Sequence, residues 1–249
     1  MDSITFGHPR VHVRCRYISD GDDDRIQTCC DLNIAPQLVK MLSHDSSAVV
    51  APAIRVVGNI ISGNDSHTQI MLDAGAMPAI FAQLDNVKGA IQKVACWALS
   101  NIAAGTAKHS AALVNFVTPA GTPGIRDVLR KATEAHPVVR SEALWILINL
   151  CTGGEVENIR ALVTAQPVNV ITALCGALEG HHLEVHLAAL EGLRCVSVWY
   201  KPAAGDPGVD DMIDACYGLD LLRGQVSNEN AKVSEMAECL LDYLVAMCD

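Results

Sequence analysis

Cys96-Trp97-Ala98-Leu99-Ser100-Asn101-Ile102 is the stretch that decides the fold, because the chain repeats it in altered form on either side. Ile54-Arg55-Val56-Val57-Gly58-Asn59-Ile60 precedes it, and Leu144-Trp145-Ile146-Leu147-Ile148-Asn149-Leu150 follows it. Each copy carries Trp or Arg four residues before an Asn, and each ends in a glycine four residues after that Asn: Gly63, Gly105 and Gly153. A weaker copy has Tyr17 in the Asn place and Gly21 four residues on. The glycines at 21, 63, 105 and 153 give intervals of 42, 42 and 48 residues. The longest interval contains Pro119, Gly121, Pro123 and Gly124, a cluster that predicts an inserted loop.

Helical signals fill the space between these glycines. Ile70, Met71 and Leu72 predict a short helix over 68–73 that stops at Gly75, a residue suited to a left-handed cap. Pro78 predicts the opening of a second helix over 79–84. A longer third helix over about 91–102 places Val94, Trp97 or Ala98, Leu99 and Ile102 at helical spacing. A period of this length built from helices is that of armadillo or HEAT arrays. The expected fold class is therefore all-α, an armadillo-repeat right-handed superhelical solenoid. Its expected divisions are a partial repeat at 1–21, repeats at 22–63, 64–105, 106–153 and 154–206, and a capping repeat at 207–249. In the fourth of these, Cys195 takes the Asn place. In the last, segments 210–217 and 230–247 read as helices, with Glu229, Lys232, Glu235, Glu238 and Asp242 as a polar outer face.

Composition narrows the function. Half of the 249 residues are apolar but only 4% are aromatic, so Ala, Leu, Val and Ile carry the core, a balance suited to close-packed helices. No apolar run reaches the ~20 residues of a membrane span, and the start at Met1-Asp2-Ser3 does not read as a secretory signal. No membrane partner is expected. The ten cysteines contain no C-x-x-C pair, so neither a zinc site nor any other metal is expected, and most read as small core residues. His181 and His182 lack ligand partners at metal spacing, and Asp22-Asp23-Asp24 reads as a solvated loop start. A net charge of −10 disfavours nucleic acid, which needs clustered Lys and Arg, and either favours a basic partner or simply keeps the chain in solution. No phosphate-cradling glycine loop or nucleophile elbow is present, so neither catalysis nor a cofactor is expected.

The repeated positions suggest how such a partner is held. Trp97 and Asn101 lie one helical turn apart and share a face, as do Trp145 and Asn149. Stacked repeats predict an Asn ladder beside a Trp row. An Asn amide donates and accepts, matching the N–H and C=O groups of an extended peptide. A Trp face takes the methylene stem and charge of Lys, for about 0.5–2 kcal/mol. Glu142, three residues before Trp145, is placed to pair with a guanidinium. Core packing for the tryptophans, loop hydrogen bonds for the asparagines and a structural pairing for Arg55 are the competing readings.

The segments 53–65 (Ala-Ile-Arg-Val-Val-Gly-Asn-Ile-Ile-Ser-Gly-Asn-Asp) and 95–105 resemble the sixth and seventh repeats of importin α, and Glu142-Ala143-Leu144-Trp145 with Asn149 resembles its eighth. Residues 17–21 resemble the fifth repeat, and 217–220 with 228–230 the tenth. The resemblance implies a receptor for basic nuclear localisation signals, present in cytoplasm and nucleus. Arg55 would interrupt the Trp row between the family's two signal-binding sites, leaving the minor-site type here. Trp97 and Trp145 would flank basic side chains, and Asn59, Asn101 and Asn149 would hold the peptide backbone. The Ile61 carbonyl, Thr68 hydroxyl and Asn101 amide, with Ser100 nearby, would receive a lysine ammonium, and Glu142 an arginine. Val13, Val94 and Cys195 depart from the family's Trp, acidic residue and Asn respectively. No basic importin-β-binding arm is recognised, so importin β is not an expected partner, while the terminal repeats leave the family's export factor as a candidate. A general armadillo scaffold binding another extended peptide, without a transport role, is the alternative.

Overall fold

The structure, a computed structural model, describes residues 23–153, 155–180 and 182–248. The weak copy at 17–21, the partial repeat 1–21, Val13, Asp22 and His181 lie outside the described residues. The chain divides into two compact units, one ending at Gly124 and the other starting at Ile125.

The first unit contains α1 (Asp23–Asp31), α2 (Ala35–Leu42) and α3 (Ser47–Ile61), then α4 (Asp65–Asp73), α5 (Ala76–Ala82) and α6 (Gly89–Ala103), and then α7 (Ala107–Val114). Short, medium and long helices alternate as the apolar spacing predicts. Helix α4 starts earlier than expected because Asn64 caps it: the Asn64 side chain accepts from the His67 N–H, and His67 Nδ1 accepts from the Asn64 N–H. Gly75, at φ 83°, turns the chain between α4 and α5 in a backbone region that glycine enters at little cost. Pro78 then falls in the first turn of α5, where its missing N–H costs nothing. The long helices α3 and α6 pack side by side. Their apolar faces bury Ile54, Val57 and Ile60 on α3, and Ala98, Leu99 and Ile102 on α6.

Two hydrogen bonds with the same 40-residue separation tie successive first helices together. His67 Nε2 meets Gln27 Oε1 at 2.9 Å, and His109 Nε2 meets Gln69 Oε1 at 3.3 Å. Because His67 Nδ1 accepts from a backbone N–H, its ring proton sits on Nε2 and donates to Gln27. Gln83, after α5, donates 2.9 Å to the Leu42 carbonyl at the end of α2 and accepts from Asn86. The inserted loop appears where it was expected, closed by an isolated antiparallel bridge between Val117 and Pro123.

The second unit holds α8 (Gly124–Glu134, its first residue on the boundary), α9 (Pro137–Thr152), α10 (Val156–Val163), α11 (Val170–Ala177) and α12 (Leu183–Trp199). The chain closes with α13 (Val209–Ala215), α14 (Gly218–Val226) and α15 (Ala231–Cys248). The long helices pack α9 on α12 and α12 on α15. Gln225 repeats the role of Gln83: it donates to the Leu178 carbonyl at 3.2 Å and accepts from Asn228. Helix α14 was not foreseen, since Gly218 and Gly224 lower its helix propensity and hide it. Glu229, Lys232, Glu235, Glu238 and Asp242 are exposed, but Lys232 and Glu235 also line a groove between α12 and α15, so the five do not share one outer face.

Cys29, Cys96, Cys151, Cys175 and Cys195 are buried, whereas Cys239 is exposed. Burial, with the nearby Cys195, pushes the Cys151 thiol above the ordinary thiol range. No described helix is long and apolar enough to cross a membrane.

Candidate functional site

In the first unit the candidate residues gather where α6 lies against α3. Gly58 makes this approach possible. A Cβ there would overlap the Trp97 ring, lying 2.7 Å from Cε3 and closer still to Cζ3. The indole therefore rests on the bare α3 backbone, and the Arg55 guanidinium, one helical turn before Asn59, sits 5.4 Å from the ring centroid. A cation over an aromatic face at this distance contributes about 0.5–1 kcal/mol when exposed. Arg55 thus does have a pairing role: it lies over the ring that is expected to flank a peptide's basic side chains.

Asn59 is 8% exposed, nearly covered by its surroundings. Asn101 is half-buried, and its Nδ2 is buried without a hydrogen-bond partner. Ser100 donates 2.8 Å to the Trp97 carbonyl, so its proton is engaged within α6. The Thr68 hydroxyl donates 2.9 Å to the Ile61 carbonyl, joining the start of α4 to the end of α3. The structure thus brings Ile61 and Thr68 together, and Arg55 and Trp97 together. The Thr68 proton is already committed to the carbonyl that would receive an ammonium. Val94, where the resembled family has an acid, is buried in α6.

In the second unit Glu142, Trp145 and Asn149 follow one another at spacings of three and four along α9, which places them on one helix face, each half-buried. Helix α12 comes close beside them, with Gly192 facing Leu174 and Ile148. In α12, Glu191 and Cys195 stand four residues apart in the places of Trp and Asn. Glu191 is held by Arg194 through bonds of 2.9 and 2.6 Å, and the Cys195 thiol lies 3.8 Å from Glu191 Oε1. The Arg194 hydrogen bonds draw the Glu191 carboxyl below its ordinary range. Its charge is thus answered within the helix, and in this unit the Trp and Asn four residues apart are those of α9. Between α12 and α15 lies a groove of about 500 Å³, lined by Leu190, Val198, Met236, Leu240 and Tyr243. The sequence reading missed this groove, because its lining mixes ordinary helix-face leucine, valine and methionine with charged residues, Glu191, Arg194, Lys232 and Glu235, that look like solvated surface.

Charge is unevenly shared. Residues 125–249 hold 18 of the 28 acidic residues and 9 of the 18 basic ones, so almost all of the excess negative charge belongs to the second unit.

The armadillo/beta-catenin-like repeat family matches residues 22–62 and 64–104. Importin subunit alpha-1a of Oryza sativa subsp. japonica is 47% identical over 47 residues, 19% of this chain and 9% of that protein. Importin subunit alpha-B of Dictyostelium discoideum is 43% identical over 47 residues, with the same shares. The match thus spans less than a tenth of these relatives' length. Among solved structures, computationally designed armadillo repeat proteins for modular peptide recognition superpose with a TM-score of 0.81 at 24% identity, over 94% of this chain and 92% of that one. A designed armadillo repeat protein in complex with the peptide (KR)4 gives 0.78 at 24% identity, over the same shares. Sequence and fold together make this chain an armadillo-repeat solenoid, with a stretch homologous to importin subunit alpha.

Proposed function

We propose that the chain binds extended, Lys/Arg-rich peptides of the nuclear-localisation-signal kind, on the faces of its long helices, as an adaptor moving between cytoplasm and nucleus. The observation that carries this reading is Asn101. Its Nδ2 is buried and has no acceptor, on the helix that presents Trp97. An unmet buried donor costs about 1–3 kcal/mol, which a peptide carbonyl recovers once the side chain turns toward it. The importin α homology and the acidity of the second unit, where Glu142 and Trp145 share a face, support a basic ligand. In this reading Asn59, Asn101 and Asn149 hold peptide backbone, Trp97 and Trp145 flank basic side chains, and Glu142 pairs with an arginine.

A second reading, an armadillo scaffold for another extended peptide, is favoured by one observation: Arg55 already covers a face of Trp97. Titration separates the two. A bipartite Lys/Arg peptide should bind and weaken with salt, because exposed ion pairs are screened over about 10 Å at 0.1 M. The same peptide with every Lys and Arg replaced by Gln should not bind. Equal binding of both peptides selects the scaffold.

A further inference from the structure

The place that Trp97 fills between α3 and α6 has no aromatic counterpart between α12 and α15. In the first unit the indole of α6 lies across Gly58, the residue before Asn59 in α3. The second unit keeps this register from α9 to α12. Ile148, the residue before Asn149, neighbours Gly192, which follows Glu191 in the Trp place of α12. Arg194, before Cys195, is the next such position, and it lines the groove shared with α15. Helix α15 has no tryptophan to lay there. Its lining residues Met236, Cys239 and Leu240 are smaller than an indole, and a groove of about 500 Å³ results. Tyr243 bounds one end, its hydroxyl donating to the Ser197 carbonyl at 3.5 Å.

Floor and rim together say what fits. Leu190 and Leu240 are buried at the floor, so the groove is apolar where it is deepest. At the rim Glu191 is held by Arg194 through two hydrogen bonds, and Lys232 and Glu235 stand three residues apart on α15. Two acids are matched by two bases, and the two cations disfavour a further lysine or arginine. On α9, by contrast, Glu142 and Trp145 share a face with no base between them. The groove therefore selects a neutral, apolar side chain, and its size lies within the about 300–1,000 Å³ of sites that enclose a ligand.

We infer that this groove takes an aromatic side chain of the same extended peptide whose basic residues lie on α9, the peptide supplying the ring that α15 lacks. The inference rests on the peptide-binding function proposed above, and adds to it a second, apolar requirement. Helices α9, α12 and α15 pack in succession. Packed helices stand about 8–10 Å apart, so the groove beyond α12 lies about 12–15 Å from α9. An extended chain covers that distance in about four or five residues, at about 3.3 Å each. The preferred ligand is thus a Lys/Arg cluster with an aromatic residue about four or five positions away.

The test titrates the full chain with two peptides by calorimetry. One has a Lys/Arg cluster flanked on both sides, about five residues away, by Phe, and the other has Ser in place of each Phe. The Phe peptide should bind about 10- to 100-fold more tightly, the gain from burying one large apolar side chain. It should also slow iodoacetamide alkylation of Cys239, an exposed thiol on the groove, as mapped by peptide mass spectrometry, while the Ser peptide does not. Cys239→Phe should fill the groove and bring the Phe peptide down to the affinity of the Ser peptide. If both peptides bind equally and leave Cys239 equally reactive, the inference is overturned and the proposed function stands. If neither binds, both fall. A gain from Phe that survives Cys239→Phe also overturns the inference. So does protection of Cys239 that grows with protein concentration alone, which assigns the groove to a second copy of the chain. Should Cys239→Phe fail to fold, affinity and alkylation of the wild type decide.

Discussion

Replacing Gly58 with alanine sets two effects of opposite sign against each other at one atom. Gly58 lies within α3, so the added methyl should favour the helix by about 0.8–1 kcal/mol. The same methyl has no room, because it would enter the Trp97 ring. Overpacking of this kind costs about 1–3 kcal/mol where neighbours cannot yield. Trp97 is half-buried and could swing outward, but it would then lose its contact with α3 and the Arg55 stacking of about 0.5–1 kcal/mol. The net expectation for Gly58→Ala is a loss of about 0–2 kcal/mol.

Gly224 provides the comparison. It also lies within a helix, α14, but an added Cβ meets nothing there within 4 Å. Gly224→Ala should therefore gain about 0.5–1 kcal/mol. The assay is urea denaturation in a background where Trp145 and Trp199 are Phe, so that only Trp97 emits, with α14 followed by hydrogen exchange. Gly58→Ala should also blue- or red-shift the native emission as the ring leaves α3. If Gly58→Ala instead stabilises as much as Gly224→Ala and leaves the Trp97 spectrum unchanged, the close packing of α6 on α3 is refuted. The Arg55–Trp97 pairing falls with it.

Three further outcomes are expected. Trp145→Ala should weaken basic-peptide binding by roughly 1–2 kcal/mol and Asn149→Ala by roughly 1 kcal/mol, non-additively because they share one helix face, while Asp242→Ala leaves calorimetric affinity unchanged. Thr68→Val removes a buried hydroxyl and leaves the Ile61 carbonyl short of a partner, so it should cost about 1–3 kcal/mol in a denaturant titration. The Arg194–Glu191 pair is more than a third exposed on both sides, so Arg194→Ala should cost no more than about 1 kcal/mol. Because Glu191 is drawn below its ordinary range, that contribution is present above its unfolded pKa and is lost as pH falls through the folded value. Denaturation of wild type and Arg194→Ala should thus converge in acid and in high salt.

The fold was legible because the chain states one helix three times, and recurrence turns a weak pattern into a strong one. The staple between His67 and Gln27 could have been found the same way, since His109 and Gln69 each stand 42 residues after their counterparts. Helix α14 was hidden for the opposite reason: no repeated signature marks it, and two glycines argue locally against a helix that α15 and α11 hold by packing. At the site, the residue types could be read but their pairings could not. Spacing puts Trp97 and Asn101 on one face. It does not say that the ring reaches back across Gly58 to meet Arg55, because that depends on how the two helices are rotated against each other. Nor could spacing show that Arg194 would answer Glu191 within α12.

The proposed function leans most on the asparagines, and the reason is energetic. Each stands inside a long helix whose other inward positions are apolar: Asn59 among Val57, Ile60 and Ile61, and Asn101 beside Leu99 and Ile102. Asparagine in a helix interior costs about 0.5–0.7 kcal/mol relative to alanine, because its side chain competes for the backbone. Burial adds to this wherever an amide lacks a partner, as Asn101 Nδ2 does. Folding alone would be better served by alanine or leucine at that position. Trp97 adds to the argument, since it is a half-buried indole that packs on α3 at Gly58 and has a half-exposed arginine over its ring, and so gains less from folding than a fully buried side chain of its size would. A helix that carries an unmet amide and an aromatic face held by a movable cation is poorer in stability than its neighbours. Under the proposed function, an extended basic peptide completes both groups, the amide by offering it a carbonyl and the ring by exchanging one cation for another.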